Sequence, residues 1–131
     1  MMSIGTLSRR TGVHIETIRY YERVGVLPKA DRAANGRRTY CEADAGRVAF
    51  IRHARELGFD LKAARTLLAL QESPEMPCKE ADDLASAQLA AVESRLRRLT
   101  ALRNELRRMA HRCKNERVAD CRVIQAVSRL S

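Results

Sequence analysis

CKEADDLASAQLAAVESRLRRLTALRNELRRMAHRCKNERVADC, running from Cys78 to Cys121, is the stretch around which the rest of the chain is arranged. Between Lys79 and Arg112 it contains neither proline nor glycine, and Ala, Leu, Glu and Arg dominate, a composition that favours an α-helix. At ~1.5 Å per residue such a helix extends on the order of 50 Å, more than a small globular remainder can cover. Ala85, Leu89, Val92, Leu96 and Leu99 follow alternating steps of four and three residues. After a one-residue slip, Leu102, Leu106, Met109 and Cys113 continue the stripe. That period predicts a coiled-coil seam. A helix packed on its own domain is the plainer alternative, but so little chain is left to cover it that a homodimer is the simpler inference.

Orientation decides what such a dimer can do. If two copies pair antiparallel, the start of one helix lies beside the end of the other, which brings Cys78 of one subunit toward Cys113 and Cys121 of its partner. Pro77 suits a first helical position, and a helix start favours the thiolate, the metal-binding form of cysteine. Cys113 alone reads equally well as a buried seam residue, since free cysteine packs as a small hydrophobe. The three together favour a ligand set, because Cys121 follows the polar run Lys114-Asn115-Glu116-Arg117, where packing gives little reason for a thiol.

The chain's bounds agree with one small folded unit carrying an arm, since 131 residues support a single modest core. Lys and Arg number 25 against 16 Asp and Glu, a formal net charge of +9 that calls for an anionic partner. Nucleic acid leads and an acidic membrane surface is the alternative. No apolar run reaches the ~18 residues of a transmembrane helix, and Met1-Met2-Ser3-Ile4-Gly5 opens into a helical pattern, not a signal peptide. A cytoplasmic protein without a membrane partner is therefore expected, with its four cysteines reduced and available to metal. Paired carboxylates, a nucleophile-base pair and a phosphate-binding glycine loop are all missing from the sequence, so an enzyme is not expected.

The first 40 residues carry eight Lys or Arg against three Asp or Glu. Gly5 to Thr11 reads as a short helix with Leu7 inward, stopped by Gly12. His14 to Val24 reads as a second helix, with Ile15, Ile18 and Tyr21 inward, Thr17, Arg19, Tyr20 and Arg23 outward, and Gly25 as its stop. Helix, short glycine-containing turn and helix make a helix-turn-helix, whose second helix enters the DNA major groove. Thr17 and Arg19 then reach base edges or phosphates, and Tyr20 bonds the backbone. A solvated basic face is the alternative for these residues taken alone. Asn35-Gly36 is a hairpin signal with Arg37-Arg38-Thr39-Tyr40 as the returning strand, a wing from which Arg32, Arg37 and Arg38 project toward flanking phosphates.

A third helix is expected from Glu42 to Leu57, with Ala45, Val48, Ile51, Ala54 and Leu57 inward, and a fourth from Leu61 to Leu70, capped by Asp60. The fold class is mainly α: a winged helix-turn-helix DNA-binding domain over residues 1–72, a proline-bearing hinge at 73–77, an antiparallel coiled-coil dimerisation helix over 78–112, and a metal-binding loop with a short closing helix over 113–131.

Ile18-Arg19-Tyr20-Tyr21-Glu22, Gly25-Val26-Leu27, Asn35-Gly36 with Arg38-Thr39-Tyr40, and Ile51-Arg52 with Leu57-Gly58-Phe59 resemble the mercury-resistance regulator (MerR) family over nearly the whole chain. The resemblance implies a dimeric regulator that distorts double-stranded promoter DNA so that RNA polymerase can engage both promoter elements. It implies DNA contacts from Thr17, Arg19, Tyr20, Arg32, Arg37, Arg38 and Tyr40. It also implies metal sensing by Cys78, Cys113 and Cys121. A thiol at the position of Cys78 points to a soft divalent ion: Hg(II) first, with Pb(II) and Cd(II) as further candidates suited to three thiolates, and Zn(II) lower because it usually takes four ligands. Cys78-Lys79-Glu80-Ala81 with Leu84-Ala85 is most similar to the mercury members. Candidates for a fourth ligand are His111, Glu116, Asp120 and water, with His111 better placed as a surface histidine. Cys41, His14 and His53 receive no metal role. The alternatives are a Cu(I)- or Ag(I)-sensing regulator using the two loop cysteines, and a regulator switched by thiol oxidation.

Overall fold

The computed structural model describes residues 1–110 and 117–129, and divides into two compact units, Met1–Ala85 and Ser86–Ser131. The first unit begins with α1 (Ile4–Thr11), whose N-cap Ser3 accepts from the Thr6 amide, and whose C-cap Gly12 turns the chain at φ 72°. Glycine suits that left-handed turn, and a Cβ there would also displace Arg52 Nη1, which donates to the Thr11 carbonyl. α2 (Ile15–Arg23) follows with Ile18 and Tyr21 buried, and the helix-turn-helix expected from the spacing is present.

The wing is a two-stranded antiparallel ribbon, β1 (Asp31–Arg32) against β2 (Arg38–Thr39), with Asp31 opposite Thr39 and Arg32 opposite Arg38. Its turn closes as the Gly36 amide donates to the Ala33 carbonyl at 2.9 Å, with Gly36 at φ 81°. The Asn35 side chain accepts from the Arg37 amide at 3.0 Å. At the base of the wing, Met2 and Tyr40 exchange two backbone hydrogen bonds of 2.8 Å, so that the N-terminus braces the ribbon.

α3 (Glu42–Glu56) buries Ala45, Val48, Ile51 and Ala54, and α4 (Leu61–Gln71) buries Ala64 and Leu68, with Asp60 capping the Ala63 amide. These side chains close one core with Leu7, Ile18, Tyr21, Val26, Leu27 and Tyr40. Leu57, expected inward, is 68% exposed. The spacing is right but the helix has ended, with Leu57 as its C-cap and the chain turning away at Gly58 at φ 88°. Arginines tie the elements together. Arg10 of α1 makes a bidentate pair with Glu42 of α3 at 2.6 and 2.7 Å, Arg52 donates to the Thr11 carbonyl at 2.6 Å, and Arg65 donates to the Val24 carbonyl at 3.2 Å.

α5 spans Lys79–Met109 and contains no buried residue. It starts two residues after Pro77, which therefore does not occupy the first helical position. Cys78 stands there as the capping residue instead, its carbonyl accepting from the Asp82 amide at 3.0 Å. Leu89, Val92, Leu96, Leu99, Leu102 and Leu106 are all exposed in the single chain. Beyond it lie a 3-10 turn at Val118–Asp120 and α6 (Arg122–Arg129), with Val123, Ile124 and Val127 exposed. Among the described residues, no helix is long and apolar enough to cross a membrane.

Candidate nucleic-acid interface and thiol positions

α2 and the wing present their polar side chains along one cleft, lined by Ser3 and by Arg19, Arg32, Gly36, Arg37 and Arg38. Thr17 is half-buried on α2, whereas Arg19 and Tyr20 are exposed. Arg19 is held by Glu16 one turn earlier at 2.7 Å, and Arg23 lies over the Tyr20 ring at 5.4 Å from its centroid. Both pairings lie on the surface and are weak enough to be exchanged for a phosphate. In the wing, Arg32 donates to the Gly36 carbonyl at 2.7 Å, which fixes its stem across the turn, and Arg37 is exposed at the tip. Four guanidinium groups around one concave surface form an anion-binding cleft with the fork geometry that suits phosphate oxygens.

Tyr40 departs from the expectation that it contacts DNA. Its side chain is 1% exposed, and its hydroxyl donates to the Glu22 carboxylate at the end of α2. Burial first, and then the Glu22 carboxylate, push the phenol well above its ordinary range. Tyr40 lies beneath the interface as part of the core, because the braced strand turns it inward.

Glu22 was not singled out from the sequence, although its spacing carried the signal. It lies four residues after Ile18 and so shares the inward side of α2, where a carboxylate requires a partner. It has two: Oε1 accepts from Tyr40, and Oε2 lies 3.7 Å from Arg38 Nε. The backbone-bonding roles of Arg52 and Arg65 were likewise invisible, because their acceptors lie about 40 residues away.

Of the cysteines assigned to metal, Cys78 is exposed at the start of α5 and Cys121 is partly exposed where the 3-10 turn passes into α6. Cys113 lies outside the described residues. Among the described residues of the single chain, no three His, Cys, Asp or Glu side chains converge to hold a metal ion. Cys41 caps α3, where Asp44 accepts from its amide at 3.0 Å.

A helix-turn-helix, a short wing packed against it and an arginine-lined cleft define a DNA-binding protein of the winged class. The chain belongs to the MerR family of regulators: the model described as MerR HTH family regulatory protein matches residues 2–71, and the model described as MerR, DNA binding matches residues 45–109. Its relatives include the HTH-type transcriptional regulator HmrR of Rhizobium leguminosarum bv. viciae, 35% identical over 97% of this chain and 98% of that one. The mercuric resistance operon regulatory protein of Bacillus cereus is 31% identical over 95% of each chain. Among solved structures, the transcription regulator PbrR691 from Ralstonia metallidurans CH34 in complex with lead(II) is 32% identical, superposes with a TM-score of 0.81, and is matched over 97% of this chain and 99% of that one.

Proposed function

We propose that this chain is a cytoplasmic, homodimeric, metal-responsive transcriptional regulator that binds double-stranded promoter DNA and distorts it when a soft divalent ion is bound. The observation that carries the proposal is the unburied apolar stripe of α5, Leu89 to Leu106, with an exposed thiol at its start and further thiols after its end. Pairing two such helices antiparallel covers the stripe and brings Cys78 of one subunit to Cys113 and Cys121 of the other. Residues 73–77 serve as the hinge between the DNA-binding domain and this arm.

The donor set fits a soft ion. Thiolates select large polarisable cations, and three of them suit Hg(II), then Pb(II) or Cd(II), ahead of Zn(II). Relatives named for mercury and lead support this class of effector. Cys78 of one subunit with Cys113 and Cys121 of the other would hold such an ion, which when bound would supply a thiolate-metal link between the subunits. The DNA-binding residues are Thr17, Arg19, Tyr20, Arg32, Arg37 and Arg38. Promoter distortion costs on the order of a few kcal/mol, which added basic contacts offset, and it brings both promoter elements within reach of RNA polymerase.

The test is a competitive titration of the reduced protein with Hg(II), Pb(II), Cd(II), Zn(II) and Cu(I), following thiolate-to-metal charge-transfer absorption in wild type and Cys78→Ser. Tight divalent binding that is lost in the variant is expected. Cu(I) binding indifferent to Cys78, with weak divalent binding, would assign the protein to monovalent ions; promoter switching by oxidant alone would assign it to redox sensing.

A further inference from the structure

Within an interface built to meet a polyanion, Glu22 is a carboxylate in an unexpected place. Its side chain is only 8% exposed, and it sits at the end of α2 directly under the wing. A buried carboxylate costs free energy unless it is paired, and a negative charge close to DNA costs more. Both costs are offset if its charge has a task there.

Its two oxygens divide between two residues of the returning wing segment. Oε1 takes the hydroxyl of buried Tyr40, while Oε2 faces Arg38 Nε at 3.7 Å. Arg38 is approached through Nε, and its two Nη nitrogens have no hydrogen-bond partner among the described residues. Its side chain is partly exposed and lines the cleft that also holds Arg19, Arg32 and Arg37. A guanidinium drawn to a carboxylate on its Nε side, here by an ion pair of 3.7 Å, leaves its Nη edge available for a bidentate phosphate contact.

We propose that Glu22 is a positioning residue of the DNA interface: anchored by Tyr40, it holds the guanidinium of Arg38 so that its free edge meets a backbone phosphate, and it thereby locks the wing to α2. This rests on Arg38 being a DNA contact. It makes a prediction whose sign separates it from simple electrostatics. Removing a negative charge beside DNA should tighten binding if Glu22 acts only through charge, whereas removing the residue that aims Arg38 should weaken it.

The experiment measures the affinity of wild type, Glu22→Gln, Arg38→Ala and the double variant by fluorescence anisotropy across a salt series. The probes are a duplex selected by the wild-type protein from a randomised pool and a random-sequence duplex of equal length. Glutamine still accepts from Tyr40, so the wing base is retained. Glu22→Gln is expected to weaken both duplexes by about threefold to tenfold, the scale of one charge-assisted contact, and to reduce the steepness of the salt dependence by about one phosphate contact. In the Arg38→Ala background the same change is expected to add nothing. Unchanged or tighter binding by Glu22→Gln while Arg38→Ala weakens it overturns the proposal and leaves the DNA contact standing; an Arg38→Ala variant that binds like wild type overturns both. If Glu22→Gln does not fold, Arg38→Lys carries the test. An ammonium concentrates its three donors at one point and has no second planar edge to aim at a phosphate while its first is held by Glu22, so Arg38→Lys should bind more weakly than wild type, and wild-type affinity in that variant overturns the proposal.

Discussion

Tyr40 shows how one residue can serve the interface without touching the ligand. Its ring fills the core, its backbone pairs with Met2, and its hydroxyl donates to Glu22. Its phenol is raised above the ordinary value of 10.0 by burial first and then by Glu22, with Arg38 and Arg19 opposing. The folded protein therefore keeps this proton after the unfolded chain has released it. The associated stability is fully present below about pH 10 and is lost as pH rises beyond it. Tyr21, raised chiefly by burial, acts with the same sign. Tyr40→Phe should thus cost on the order of 1–3 kcal/mol at pH 7 through the missing bond to a charged acceptor. Above pH 10 it should also lose stability less steeply than wild type. Urea unfolding from pH 7 to 11 measures both, and parallel alkaline limbs in the two proteins would show that Tyr40 is not the group responsible.

At the scale of elements, the helices were legible because their boundaries are written in local chemistry. Gly12 and Gly25 adopt positive φ at the helix ends that they were expected to mark, Gly58 does so just past Leu57, and Asp60 caps α4 as expected. The wing was legible as a hairpin, with its turn at Asn35-Gly36 and its returning strand within residues 37–40, but not in the detail of its pairing. Asn35-Gly36 specifies the reversal, whereas the brevity of the strands and the Met2–Tyr40 bridge depend on pairing between residues far apart in sequence. Tyr40 was expected at the DNA only through the family resemblance, and its place in the core depends on the same long-range pairing. Leu57 fails differently, since periodicity extends a stripe past the point where the helix stops. The α5 stripe from Leu89 to Leu106 was legible and is exposed in the single chain, Leu99 at 61%. Burial of a leucine contributes on the order of 1.5–3 kcal/mol, so Leu99→Glu, which enters a symmetric dimer twice, should abolish association. Sedimentation equilibrium at micromolar concentration is expected to give a dimer for wild type and a monomer for the variant. A variant that remained dimeric would place the contact away from this seam.

For the whole molecule, the two proposed activities are assigned to different parts of the chain. The arginine-lined cleft belongs to the unit Met1–Ala85, while Cys121 belongs to Ser86–Ser131. The proposed ligand set rests on the positions of three thiols along the sequence. As proposed, the site is shared between two subunits and would not converge within one chain, and Cys113 lies outside the described residues. A division of this kind has a thermodynamic signature. If metal and DNA are coupled through a change of state, each ligand shifts the other's affinity by the same factor, yet removing one site leaves the intrinsic affinity of the other intact. Cys121→Ser should therefore bind promoter duplex within about twofold of the metal-free wild type and show no change on adding Hg(II), a coupling factor of one. Arg19→Ala should lose on the order of tenfold in DNA affinity, the scale of one charge-assisted contact, while retaining the wild-type charge-transfer titration. Anisotropy and absorbance on the same samples decide the matter. Loss of DNA binding in metal-free Cys121→Ser would mean that the thiol segment supports the fold of the DNA-binding unit. Loss of metal binding in Arg19→Ala would mean that the two sites share residues, and the separation argued from the fold would be wrong.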